Sequence, residues 1–133
     1  HGHQHTGAAN RHGDYGSYLD AVGRADAFVG AVIRESDAAR ARGVETMIIV
    51  TADHGRSNDF KHHGRDYPES ARNWLVAAGG PVPASGYVSL ESPRALRDIA
   101  PTIAAVAGVE LEMTETSGSV IRELAPMCAP AGG

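Results

Sequence analysis

The chain contains almost no cysteine, and it also lacks long apolar runs and an excess of positive charge. The single Cys128 cannot form an internal disulfide and does not indicate a redox compartment. No apolar run approaches the roughly 20 residues of a membrane-spanning helix. The net charge is −4, with both signs mixed along the chain and no aromatic residues set among basic ones. We therefore expect no membrane span and no nucleic-acid-binding surface.

The composition otherwise fits one globular core, with 133 residues of which 42% are hydrophobic. Residues 1–13 are polar, hold four of the seven histidines and lack the apolar segment of a signal peptide. A chain whose first residue is His need not carry its natural start. We expect a polar loop or tag remnant over 1–13, a domain over 14–125 and a flexible tail over 126–133.

The pattern of apolar residues predicts helices and strands in α/β order. Residues 46–53, "TMIIVTAD", are apolar on both faces, which suits a central strand of a sheet covered by helices. Before it we expect a helix from 14 to about 42 that stops at Gly43. After it we expect a strand at 73–80 and a weaker one at 84–92. A helix over 92–109, which starts or kinks at Pro101 and ends at Gly108, and a short helix at 118–126 complete the order.

The segment "IIVTADHGRSNDFKHHG", residues 48–64, gathers metal-ligand side chains where the best strand ends. Ligands of open α/β sheets bind outside the carboxyl ends of strands, and Asp53 and His54 lie there. Both can reach one ion if the backbone turns, which Gly55 permits. His62 and His63 return after a loop of seven residues. Spacing alone leaves a metal site and an ordinary turn with exposed histidines equally open.

Several strings of the sequence together resemble the C-terminal part of the alkaline phosphatase superfamily. They are "VTADHGR", "HHG", "PESARNWLVAAGG" and "RDIAPTIAAVAGV", preceded by the helix "GDYGSYLDAVGRADAFVG". The type I phosphodiesterase/nucleotide pyrophosphatase and sulfatase-like branch is the most similar. The resemblance covers residues 12–125. It implies the C-terminal half of a three-layer αβα sandwich with a mostly parallel central sheet.

The resemblance also implies a hydrolase of phosphate mono- or diesters that holds two zinc ions and acts through a metal-activated Ser or Thr. Asp53 and His54 would bind one zinc ion, and His63, directly before Gly64, would bind the other. His62 is the second choice for that ligand. The second zinc ion of the family also needs an upstream Asp and His, and His12 is a weak candidate for that His. Arg56 is a candidate contact for the phosphate- or sulfate-ester substrate. Members of such families are often periplasmic or secreted.

The nucleophile of that family has no counterpart in this sequence, and of its upstream zinc ligands only the His has a candidate, His12. Thr6, Ser17 and Thr51 are hydroxyls without the matching context, and no Asp precedes Asp14. We therefore expect the chain to be inactive alone and to depend on the N-terminal portion of the same protein. Two alternatives stay open: a sulfatase of the same architecture, and a catalytically degenerate α/β module that binds or scaffolds.

Overall fold

The computed structural model describes residues 15–59, 62–89 and 93–125. The predicted N-terminal loop at 1–13, with His12, and the tail at 126–133 lie outside them. The described chain folds as two compact units. One contains residues 15–46 and 50–76, and the other contains 47–49 and the described residues from 77 onward.

Helix α1 spans Tyr15–Arg40, close to the predicted bounds. Its end is followed by Gly43 at φ 82°, a left-handed conformation that glycine adopts without strain. The Arg42 guanidinium donates to the Ala38 carbonyl at 3.0 Å, which satisfies one of the terminal acceptors. No side chain of α1 is buried, and Phe28 is 70% accessible.

Strands β1 (Ile48–Thr51) and β2 (Leu75–Ala78) form a two-stranded antiparallel sheet. The Thr51 hydroxyl donates to the Trp74 carbonyl at 2.6 Å, so the end of β1 lies beside the start of β2. The expectation of a mostly parallel sheet is wrong for the described residues, although the α/β class holds. Parallel strands need a crossover, usually helical, whereas the described residues between β1 and β2 form one 3₁₀ turn, Pro68–Ala71.

Helix α2 spans Ile99–Ala107 and follows a 3₁₀ turn at Leu96–Asp98. Pro101 lies in its first turn, where the missing N–H costs nothing, and Gly108 ends it at φ 66°, both as predicted. The weaker strand expected at 84–92 is not formed in its described part, residues 84–89. Gly86 there has φ 66°, which interrupts an extended run.

The final helix expected at 118–126 is a single turn within the described residues. Its backbone donors are taken by the α2 region: Ser119 N–H donates to the Asp98 carboxylate at 2.9 Å, and Ile121 N–H to the Thr102 hydroxyl at 2.8 Å. Gly118 fits against the Arg97 carbonyl and the Asp98 carboxylate, where a Cβ would collide. Both N–H groups belong to the first turn of the expected helix, where no helical acceptor exists, so these bonds tie the segment to the α2 region without competing with helical bonds.

Few apolar side chains are buried in the described residues. Among these residues, the hydrophobic side chains that are buried are Ile121 and Ala125. In contrast, Val76 of β2 is 58% accessible and Ile103 of α2 is 48% accessible. Trp74, directly before β2, is 55% accessible. An apolar helix long enough to cross a bilayer does not occur in the part of the chain that the structure describes.

Candidate metal centre

Asp53 and His54 come one residue after the end of β1 and turn their ligand atoms toward each other. Asp53 Oδ1 accepts the His54 backbone N–H at 3.0 Å and lies 3.7 Å from His54 Nε2. His54 Nδ1 lies 2.7 Å from the Gly55 carbonyl oxygen. A carbonyl can only accept, so Nδ1 carries the proton, and in the neutral ring Nε2 carries the lone pair. This tautomer suits a metal ligand whose other ring nitrogen is held by the backbone.

Gly55 lets the chain pass close to the 3₁₀ turn at Pro68–Ala71. Its N–H donates to the Ser70 carbonyl at 2.8 Å. A Cβ at this position would lie 2.7 Å from the Glu69 carbonyl oxygen and closer still to that of Arg72. Gly55 is not among the glycines with positive φ. The sequence predicts that Gly55 is needed for a turn of the backbone. In the structure it is needed because another backbone segment lies too close to leave room for a side chain.

His63 lies against His54 although eight residues separate them along the chain. The two imidazole rings stack with centroids 4.4 Å apart and planes inclined by 23°. The chain then turns at Gly64, with φ 111°, and the Gly64 N–H donates to the Ser70 hydroxyl at 3.1 Å. The structure therefore places His63 beside His54, which in turn contacts Asp53.

The His62 side chain contacts Asp59 and Tyr67. Its Nδ1 lies 2.6 Å from Asp59 Oδ2, and its ring stacks on Tyr67 with centroids 5.3 Å apart. The buried Ser57 hydroxyl bonds the Asp59 carboxylate and lies 2.9 Å from the His62 carbonyl oxygen. Of the two adjacent histidines, His63 and not His62 is the partner of His54.

The donor atoms present fit part of a zinc site. Two ligand atoms of one tetrahedral zinc ion, each about 2.0–2.2 Å from it, lie about 3.3–3.6 Å apart. The 3.7 Å between Asp53 Oδ1 and His54 Nε2 is therefore slightly wide but close to what a shared ion requires. Across residues 15–59, 62–89 and 93–125, no group of three or more acidic, His or Cys side chains has a metal-holding arrangement. Asp53, His54 and His63 alone would not close a four-coordinate zinc site.

Among the remaining candidates, the structure places Arg56 half-buried just after Gly55 and Ser17 on α1. Thr51 uses its hydroxyl within the sheet. Sequence reasoning missed Ser57 and Ser70, the two buried serines that organise the loop. A serine within a Pro-initiated turn, as in "PES", was the available signal for Ser70.

Comparison of the chain with models of protein families, with curated proteins and with solved structures gave no match.

Proposed function

We propose that this chain is the C-terminal portion of a zinc-dependent hydrolase of phosphate mono- or diesters, and that Asp53, His54 and His63 are ligands of two zinc ions. The stacking of His54 on His63 carries the proposal, because it joins the strand-end "DHG" segment to the "HG" segment. Chance exposure of loop histidines gives no reason for the two rings to meet.

The ring geometry favours two neighbouring ions over one. An imidazole holds a metal in its own plane, and two stacked planes inclined by only 23° do not meet close to both rings. Metal ions in two-metal hydrolases lie about 3.5–4 Å apart, and the ring centroids are 4.4 Å apart. We assign Asp53 and His54 to one ion and His63 to the other.

The residues from 53 to 56 each have a definite task in this proposal. Bound zinc would activate a hydroxyl nucleophile and stabilise charge on the leaving oxygen. The Gly55 carbonyl oxygen fixes the His54 tautomer by accepting from Nδ1. Asp53 aligns the His54 backbone and supplies a carboxylate ligand. Arg56 is assigned to the substrate's anionic oxygens, and the nucleophile and remaining ligands to the N-terminal portion of the protein.

The larger αβα sandwich belongs to the same proposal. Phe28, Trp74 and Val76 are more than half accessible, and residues of this size gain about 1.5–3 kcal/mol each when fully buried. We assign the N-terminal portion, with further strands and helices, to cover them. The two-stranded antiparallel sheet would then be one part of a larger mixed sheet.

Zinc titration of the 133-residue chain by calorimetry tests the ligand assignment. His1, His3 and His5 are replaced by Ala in every sample, because clustered histidines near the first residue would bind zinc themselves. Binding should be weak, since three donors divided between two ions close neither site. Asp53→Asn, His54→Ala and His63→Ala should each lower the affinity by at least about tenfold. Asn at 53 retains an oxygen that can accept the His54 N–H.

His62→Ala is the matched control, since it removes the adjacent imidazole from the same loop and should change zinc affinity less than threefold. Equal losses for His62→Ala and His63→Ala would refute the assignment of His63. A chain with no zinc binding above that of the triple Asp53→Asn, His54→Ala, His63→Ala variant would instead support a degenerate scaffold module.

A further inference from the structure

Ser70 accepts hydrogen bonds from the residues that follow the two stacked histidines. Its carbonyl oxygen accepts the Gly55 N–H at 2.8 Å, and its hydroxyl accepts the Gly64 N–H at 3.1 Å. Gly55 comes directly after His54, and Gly64 directly after His63. One residue thus holds both ends of the histidine loop.

We propose that Ser70 is the positioning residue of the His54–His63 pair: it sets the distance between the two imidazoles by fixing the peptide groups that follow them. The zinc consequence of this inference rests on the proposed function, whereas the ring-pairing consequence does not. Ser70 is a positioning residue because it acts through the backbone and none of its described bonds is to an imidazole.

The surroundings of Ser70 make it a stiff support. It is 8% accessible, so water competes poorly for its hydroxyl, and its own N–H donates to the Tyr67 carbonyl at 2.9 Å. Pro68 begins the 3₁₀ turn with a preset φ. The absence of a Cβ at Gly55 allows the turn to approach closely enough for the 2.8 Å bond.

The two bonds of Ser70 can be separated by mutation. Ser70→Ala removes the hydroxyl that holds Gly64 and keeps the carbonyl that holds Gly55. His54 should therefore keep its place after β1, while His63 loses its fixed position. We expect the nuclear Overhauser effects between the His54 and His63 ring protons to disappear in the metal-free Ser70→Ala chain. Their retention at wild-type intensity would overturn the proposal.

Zinc binding gives a second readout, in the background that lacks His1, His3 and His5. Ser70→Ala should lower zinc affinity by about 10–100-fold, the usual range for residues that orient a ligand. Adding His63→Ala to Ser70→Ala should then cost less than threefold more, because His63 has already been lost as a ligand. Full additivity of the two losses would contradict a positioning role.

Thr102→Val is the matched control for a purely structural effect. It also removes a buried hydroxyl that accepts a backbone N–H, that of Ile121, and Thr102 is fully buried. It should destabilise the chain by a similar amount and leave the ring contacts and zinc affinity unchanged. Ser70→Thr, which keeps a hydroxyl, should restore at least part of the ring contacts.

Hydrogen exchange of the wild-type chain decides the matter even where Ser70→Ala does not fold. Gly64 is exposed, so its N–H should exchange fast unless the Ser70 bond protects it. We expect protection comparable to that of the Gly55 N–H. Fast exchange at Gly64 alone would overturn the role of Ser70. Ring contacts that depend on Ser70 in a chain without zinc affinity would contradict the proposed function and leave the role of Ser70 standing.

Discussion

Gly55→Ala is expected to destabilise the chain by about 3 kcal/mol, at the upper end of what overpacking costs, and to abolish the contact between His54 and His63. The added Cβ would meet the carbonyl oxygens of Glu69 and Arg72. Both are backbone atoms, so relief requires the whole 3₁₀ turn to move away. That movement also breaks the Gly55–Ser70 bond. Urea unfolding of the variant measures the loss of stability.

Gly23→Ala is the control for this substitution, because it makes the same change where space is open. Gly23 lies within α1, and nothing comes within 4 Å of a Cβ built there. Alanine in a helix interior is about 0.5–1 kcal/mol more favourable than glycine, so this variant should be slightly stabilised. If Gly55→Ala unfolds at the same urea concentration as Gly23→Ala, the close packing described for Gly55 is wrong.

Asp98→Ala is expected to have the second largest effect, a loss of about 3 kcal/mol in the free energy of unfolding, because two charge-assisted bonds disappear and two N–H groups lose their acceptor. The buried carboxylate accepts the Ala95 N–H at 2.8 Å with one oxygen and the Ser119 N–H at 2.9 Å with the other. It thereby ties the turn before α2 to the segment after Gly118. Urea unfolding at neutral pH measures this loss, and an unchanged midpoint would contradict it.

The same carboxylate makes stability depend on pH. The bond from Ala95 chiefly lowers the pKa of Asp98 below its ordinary 3.8; burial opposes this, and the Ser119 bond and the cations Arg97 and Arg94 add to it. Since the folded pKa is below the unfolded one, the stabilisation is complete well above pH 3.8 and is lost as pH falls through the folded value. The stability gap between wild type and Asp98→Asn should therefore narrow in acid.

The comparison of wild type with Asp98→Asn removes the contribution of Glu123 to the pH dependence, because Glu123 is present in both chains. The Glu123 pKa is also lowered, mainly by its hydrogen bond from Arg94, so Glu123 would otherwise obscure the measurement. A gap that stays constant from neutral pH to below the ordinary pKa of Asp98 would show that this carboxylate is not held as described.

The sequence predicts those elements whose signals are local. The long periodic run gives α1, Pro101 and Gly108 mark the two ends of α2, and Gly79 ends β2. The direction of β2 and the state of residues 118–125 depend instead on contacts distant in sequence. The apolar pattern of "SVIREL" is that of a helix, but the segment forms a single turn, and no local signal reveals that Asp98 and Thr102 accept its Ser119 and Ile121 N–H groups.

The candidate site shows the same division. Residue type and spacing single out Asp53, His54 and the two later histidines, but they do not decide between His62 and His63. That choice depends on Asp59 and Tyr67, which engage His62, and on Ser70, which holds the loop beyond His63. Such contacts arise from how the loop packs and not from the order of its residues.

Zinc titration of the ¹⁵N-labelled chain, followed through its imidazole resonances, tests the central claim most directly. With His1, His3 and His5 replaced by Ala, we predict that the ring nitrogens of His54 and of His63 both respond to zinc. The ring-nitrogen resonances of His62 should not shift. Asp53→Asn should weaken the response of His54 the most. Two results would contradict the proposed zinc site: a zinc response at His62 without one at His63, or the absence of a response at both His54 and His63.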